Sequence, residues 1–244
     1  MEPVESYPRS AAIFGASGGI GRALCKVLRQ RGCQRIFAGS RGGGSPVGEG
    51  ITPFTFDLAD EDSIIAASEL MREDPPQWTV VATGVLTLPN GHGPERTLKR
   101  LNAEDMAQVF ALNTIGPALI AKHTLPLIPR AEPCVFAALS ARVGSITDNG
   151  LGGWHSYRAS KAALNMLIKN FALEMQRTHA SSIVVGLHPG TVDSALSAPF
   201  QKGLPNGQLT QPERAASNLI DVLKGLSPED SGAVFDFAGK IVLA

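Results

Sequence analysis

The sequence predicts an α/β fold: a doubly wound parallel sheet of about seven strands with helices on both faces. Two observations carry this. Short runs that are apolar throughout alternate, from one end to the other, with longer segments of helical spacing. The first such run is stopped by glycines that open a helix. With 244 residues, 43% apolar and 18% charged, the chain can bury one large core, and no stretch reads as a linker. Residues 1–244 are therefore expected to form one domain.

The elements follow in order. "AAIF" (11–14) is the first strand, and helical spacing runs from Ile20 to about Arg31, where Gly32 ends it. "RIFAGS" (35–40) is the second strand and "ITPFTFDL" (51–58) holds the third. Between them "RGGGSPVGEG" is too glycine-rich for a helix, so a tight, mobile connection is expected, leaving the edge of a nucleotide pocket open. Asp60 and Ser63 supply helix-start chemistry before "IIAASELM". "WTVVATG" (78–84) is a buried fourth strand, and a Pro/Gly-rich loop (87–95) leads to a helix over 103–122. "EPCVFAALS" (132–140) is the fifth strand, followed by a helix over 154–176. "SIVVGLHPG" (182–190) is the sixth, a helix spans 212–225, and "AVFDFAG" closes the sheet.

Composition excludes several function classes. Twenty-two basic side chains balance twenty-two acidic ones without a basic block, which gives no support for nucleic-acid or anionic-membrane binding. Cys25, Cys33 and Cys134 are scattered, without metal-ligand spacing, and read as buried thiols. His123, His155 and His179 likewise lack such spacing, so no metal is expected. "MEPVESYPRS" is acidic and proline-punctuated rather than basic and apolar, and no apolar run is long enough to span a bilayer. A cytoplasmic protein is expected.

"GASGGIG" (15–21) joins the first strand to the first helix. Gly15, Gly19 and Gly21 permit a tight turn. With Ser17 and Ile20 they would let a pyrophosphate approach backbone N–H groups at the helix amino end. The second strand ends in Ser40 and Arg41 with no acid, and a guanidinium fork suits a 2′-phosphate, so NADP(H) is favoured over NAD(H). Asp57 and Leu58, after the third strand, are placed beside an adenine; capping of the next helix competes for Asp57. In "YRASK" (157–161), Tyr157 and Lys161 stand at i and i+4 on one helical face. That is either a stem packed under a charge or a phenol tuned for proton transfer.

"GASGGIG", "FDL", "ATG" (82–84), "LNTIG" (112–116), "YRASK" and "HPGTVDS" (188–194), arriving in this order, resemble the short-chain dehydrogenase/reductase family over nearly the whole chain. "LNTIGPALIAKHTLPLI" and "ARVGSITDNGLGGWHSYRASKAALN" look like its C-factor and carbonyl-reductase subgroup. The resemblance implies a Rossmann-like fold and a carbonyl or alcohol substrate, with pairing into a homodimer or homotetramer through the 103–122 helix. It implies Tyr157 as general acid/base and Lys161 as the group that holds the nicotinamide ribose and depresses the phenol. Asn113 would hold a relay water. Pro189, Gly190 and Val192 would lie along the nicotinamide, and Ala82 and Gly84 along the adenosine ribose.

The chain departs from the family pattern at Phe14, often threonine, at Ala82, often asparagine, and at the catalytic serine. Aligned on Gly144, Ala141 takes that serine's place; Ser140 is preferred for the role and Ser145 is second. Trp154 and His155 are expected at the substrate mouth or as an aromatic anchor, and Phe200 in a lid (194–205).

Moving a phenol from a pKa of about 10 to about 7 requires roughly 4 kcal/mol. One positive charge about 4 Å away supplies that at an effective dielectric of about 20. A C-factor-like dinucleotide-binding signalling protein with little turnover is the competing class, motivated by Ala82 and Ala141.

Overall fold

The computed structural model describes residues 7–130, 132–202, 205 and 207–243. The segment 1–6 read above for a leader, and Gly203 and Leu204 of the expected lid, lie outside the described residues. The elements are β1 (Ser10–Phe14), α1 (Gly19–Gln30), β2 (Arg35–Ser40), β3 (Ile51–Thr55), α2 (Glu61–Glu69) and β4 (Trp78–Val81). They continue with α3 (Ala103–Phe110), α4 (Gly116–Thr124), β5 (Cys134–Leu139), α5 (His155–Met175) and β6 (Ser182–His188). β7 (Thr191–Val192), β8 (Leu209–Thr210), α6 (Pro212–Lys224) and β9 (Val234–Asp236) complete the chain.

Seven strands pair in parallel in the order β3-β2-β1-β4-β5-β6-β9, with β7 and β8 forming a separate ribbon. The order reverses between β1 and β4, so their carboxyl ends open a crevice. Strand alternation splits the core: Ala11 and Ile13 face Leu24, Leu28, Ile220 and Leu223 of α1 and α6. Ala12 and Phe14 face the other layer, with Ile120, Leu164 and Ile168. Phe14 packs edge-on to Phe54 (5.2 Å) and Phe56 (5.0 Å), over a space that a Cβ on Gly39 would fill. The family's usual threonine is thus replaced here by an aromatic cluster.

Local chemistry accounts for the helix ends. At the end of α1, Gly32 has φ 92° and the Cys33 amide donates back to the Leu28 carbonyl, a glycine-dependent stop. Asp60 caps α2 through the Asp62 amide, as expected. β2 and β3 do pair in parallel without a crossover helix, their connection tied by Arg22 to the Gly44 carbonyl (2.6 Å).

Three expectations need correction. The single helix over 103–122 is interrupted: residues Ala111–Ile115 form a π-turn between α3 and α4. The fourth strand stops at Val81: the Ala82 amide still donates to the Phe14 carbonyl (2.7 Å), but Thr83 and Gly84 leave the ladder to form the crevice wall. The sixth stops at His188, where Pro189 withholds an amide and Gly190 turns at φ 75°. Among the described residues no helix is long and apolar enough to cross a membrane.

Candidate active site

The crevice at the carboxyl ends of β1, β4, β5 and β6 has a volume of about 610 Å³. It brings together Gly19, Ile20, Ala82, Gly84, Ser140, Tyr157, Lys161, Pro189, Gly190 and Val192 from the residues named in advance. Gly15 and Gly21 act beneath it. Gly15 has φ 95°, and a Cβ there would sit 2.8 Å from the Ala82 carbonyl oxygen; one on Gly21 would sit 2.1 Å from the Gly15 oxygen. The amides of Gly15 and Ala16 are spent on the Gly39 carbonyl, while Ser17 is exposed at the turn.

Other expected contacts lie outside the crevice lining. Ser40 is buried, its hydroxyl donating to the Gly43 carbonyl (2.8 Å) and accepting from Ser45 (2.9 Å), so it fastens the β2–β3 connection. Arg41 is exposed and makes no side-chain hydrogen bond or ion pair among the described residues. Asp57 accepts from the Ala59 amide (3.0 Å) and does not cap α2, a task Asp60 performs. Leu58 packs where a Cβ on Gly116 would be 2.7 Å away, which makes it a floor under α4.

The amino end of α5 is fixed before the helix starts. Trp154 adopts φ 50°, a left-handed conformation reached through Gly152 and Gly153, and its amide donates to the Glu95 carbonyl (2.5 Å). The buried Glu95 carboxylate accepts from both the amide and the hydroxyl of Ser156. Tyr157, Lys161 and Asn165 then recur every fourth residue along one face. Lys161 is 3% exposed and donates from Nζ to the Leu139 carbonyl at 2.8 Å, with its ammonium 5.9 Å from the Tyr157 ring centre.

Asn113 is fully buried within the π-turn. It accepts from the Val85 amide (2.8 Å) and donates to the Val85 carbonyl (2.9 Å) and to Ser160 (3.3 Å). A Cβ on Gly84 would come within 3.3 Å of Asn113 and 3.5 Å of Lys161, so the Thr83–Gly84 bend depends on glycine.

The expected depression of the phenol is not found. Burial pushes Tyr157 up to about 12 and Lys161 down to about 8. Burial penalises whichever charge either group would carry, and at this spacing the ammonium does not offset that for the phenolate.

The serine question divides by position. Ser145 accepts from the Asp148 amide and faces a different hollow, so it is not in the crevice. Ser140 is in the crevice, but its hydroxyl donates to Asn165 Oδ1 at 2.5 Å. Ala141 lines the crevice at the family's serine position. Gly144, on which that alignment rests, allows close approach to α5: a Cβ there would be 2.8 Å from Lys161 Cβ.

The profile of the short chain dehydrogenases matches residues 9–204. The chain belongs to that family. This short chain dehydrogenase is 31% identical over 223 residues to 1-hydroxy-2-glutathionyl-2-methyl-3-butene dehydrogenase of Rhodococcus sp., covering 90% of this chain and 92% of that one. It is 33% identical over 135 residues to C-signal of Myxococcus xanthus, covering 55% of this chain and 76% of that protein. A carbonyl reductase from Pseudomonas aeruginosa superposes with a TM-score of 0.77 at 26% identity, over 96% of this chain and 99% of that one. An NADPH-bound carbonyl reductase from chicken fatty liver shares the fold, with a TM-score of 0.82 at 24% identity over 98% of this chain and 96% of that one.

Two crevice groups of this dehydrogenase gave no signal in sequence. Thr83 Oγ1 and His188 Nδ1 are buried without a partner. An orphaned hydroxyl in a glycine-walled crevice fits a polar ligand such as a dinucleotide. Burial holds His188 at about 4, below its ordinary 6.5, so the unfolded chain binds the extra proton between those values. Stability contributed there is full above about pH 6.5 and lost towards pH 4, amounting to roughly 3 kcal/mol. Urea midpoints measured from pH 7 to pH 4 should fall less steeply for His188→Gln than for the parent.

Proposed function

We propose that this dehydrogenase is an NADP(H)-dependent oxidoreductase of the carbonyl-reductase type, acting on a carbonyl or the matching alcohol. The observation that carries it is the pair of half-buried Tyr157 and buried Lys161 on one face of α5 against the crevice at the sheet's switch point. The glycine-walled turn at 15–21 would take the pyrophosphate. Pro189, Gly190 and Val192 would line the nicotinamide, with Ala82 and Gly84 on the adenosine side, and Asp57, outside that lining, would meet the adenine. Bound there, the nicotinamide supplies or accepts the hydride.

The chain's own part is the proton. Tyr157 Oη gives its proton to the carbonyl oxygen in reduction and takes one back in oxidation. A phenol that burial keeps protonated is ready to donate. Lys161 places a cation under the phenolate as it forms, and Asn113 fixes the wall over which a relay water would sit. Ser140 positions Asn165 and, with Ala141 beside it, leaves the carbonyl oxygen one side-chain donor fewer than the family pattern provides. Residues 1–244 act as one unit in this reading, paired with further copies through α3, α4 and the π-turn between them, where Ile115 is 52% exposed.

The test is NADPH oxidation by the purified protein over a panel of aldehydes, ketones and quinones. Turnover supports the reading. Dinucleotide binding with no oxidation across the panel favours a signalling protein, the alternative that Ala141 and the C-signal likeness support. The cofactor preference has its own check. Arg41→Ala should raise the KM for NADPH about tenfold, the cost of one charge-assisted hydrogen bond, with a much smaller change for NADH.

A further inference from the structure

A second hollow of about 480 Å³ opens off the crevice and shares Leu86, Tyr157 and Phe200 with it. Its wall near Tyr157 is apolar, with Leu88, Val109 and Phe200. Trp154, in the main crevice, stands edge-on to both shared aromatics, Phe200 (5.3 Å) and Tyr157 (6.2 Å). The lining also carries charge of both signs: buried Glu95, and Asp105, His92, Arg96 and Arg100.

These charges are not equivalent. Glu95 is occupied by Ser156. Asp105 accepts from Asn90 (2.9 Å) and pairs with His92 (2.7 Å), and those bonds hold it below the usual carboxylate range. The guanidinium groups of Arg96 and Arg100 have neither hydrogen bond nor ion pair among the described residues. The donors left uncommitted in this lining are thus two guanidinium forks, suited to an oxyanion.

We propose that the substrate carries an anionic group, carboxylate or phosphate, which Arg96 and Arg100 bind while its carbonyl meets Tyr157 and an apolar body spans the hollow. This rests on the oxidoreductase reading above and adds the substrate class.

Paired substrates test it on the protein with NADPH: 4-formylbenzoate, its methyl ester and 4-formylphenyl phosphate. The expected result is a kcat/KM for an anionic aldehyde about tenfold or more above the ester's, shrinking as salt rises. In an Arg96→Gln/Arg100→Gln double variant that preference disappears, whereas Lys99→Gln, on the same turn outside the hollow, retains it. The carboxylate and phosphate arms show which anion is preferred. A parent that favours the ester, or a double variant with an unchanged ratio, overturns the proposal. If none of the three aldehydes is turned over, the wider panel decides the oxidoreductase reading, and calorimetric binding of 4-formylbenzoate still decides this one. Affinity lost in the double variant supports it, and equal affinity overturns it.

Discussion

Tyr157→Phe should lower kcat by about 10² to 10⁴-fold while NADPH still binds, because the substitution removes one proton donor and no wall of the crevice. The Tyr157 ring lies 6.2 Å from the Trp154 ring and 5.9 Å from the Lys161 ammonium, and a phenyl ring fills the same volume. Stopped-flow turnover and dinucleotide fluorescence separate the two quantities. Equal loss of both would assign Tyr157 to the scaffold. Subtracting the variant's ultraviolet titration from the parent's isolates this phenol, since Tyr7 is the only other tyrosine. Without dinucleotide the ionisation should lie near pH 12, where burial puts it. Saturation with NADP⁺ should lower it, because a cation then joins Lys161 beside the ring. A titration near 7 in the free protein would contradict the burial argument.

The second large effect is Gly21→Ala. Its Cβ would lie 2.1 Å from the Gly15 oxygen, 2.8 Å from the Gly15 carbon and 3.0 Å from Ala16 Cα. All three are backbone atoms, so no side chain can rotate away. α1 must shift off β1 or the glycine turn must open, at a cost of roughly 3 kcal/mol or more. Denaturant midpoints should drop and NADPH affinity should be lost. Gly42→Ala, where a Cβ meets nothing within 4 Å, is the matched control and should alter neither.

Much of the architecture was legible because it rests on short-range chemistry. Apolar runs such as Cys134–Leu139, buried at every position, admit few readings other than a central parallel strand. Gly32, Asp60 and the glycines of 15–21 announce their roles through backbone geometry that few other residues adopt. The π-turn around Asn113 was not legible, since the preferences of "ALNTI" do not separate a π-turn from an α-helix. What selects it is tertiary: Asn113 bonds with Val85, and Thr114 with the Ser160 carbonyl at 2.8 Å.

In the site, Tyr157 and Lys161 were found by spacing, but their mutual influence was not, because it depends on burial and on where Nζ points. The Glu95 clamp on α5 joins residues 61 positions apart and leaves no periodic trace. Ser140 could be named as a crevice residue from sequence; that its proton goes to Asn165 could not.

The missing crossover helix leaves β3 as a bare rim of the sheet, exposed at Thr52, Pro53 and Thr55. A naked edge strand invites another chain to zip onto it. Pro53 brings no amide to such a ladder and so interrupts any intruding strand halfway. The molecule can therefore dispense with a covering layer on that flank without becoming a seed for fibrous growth.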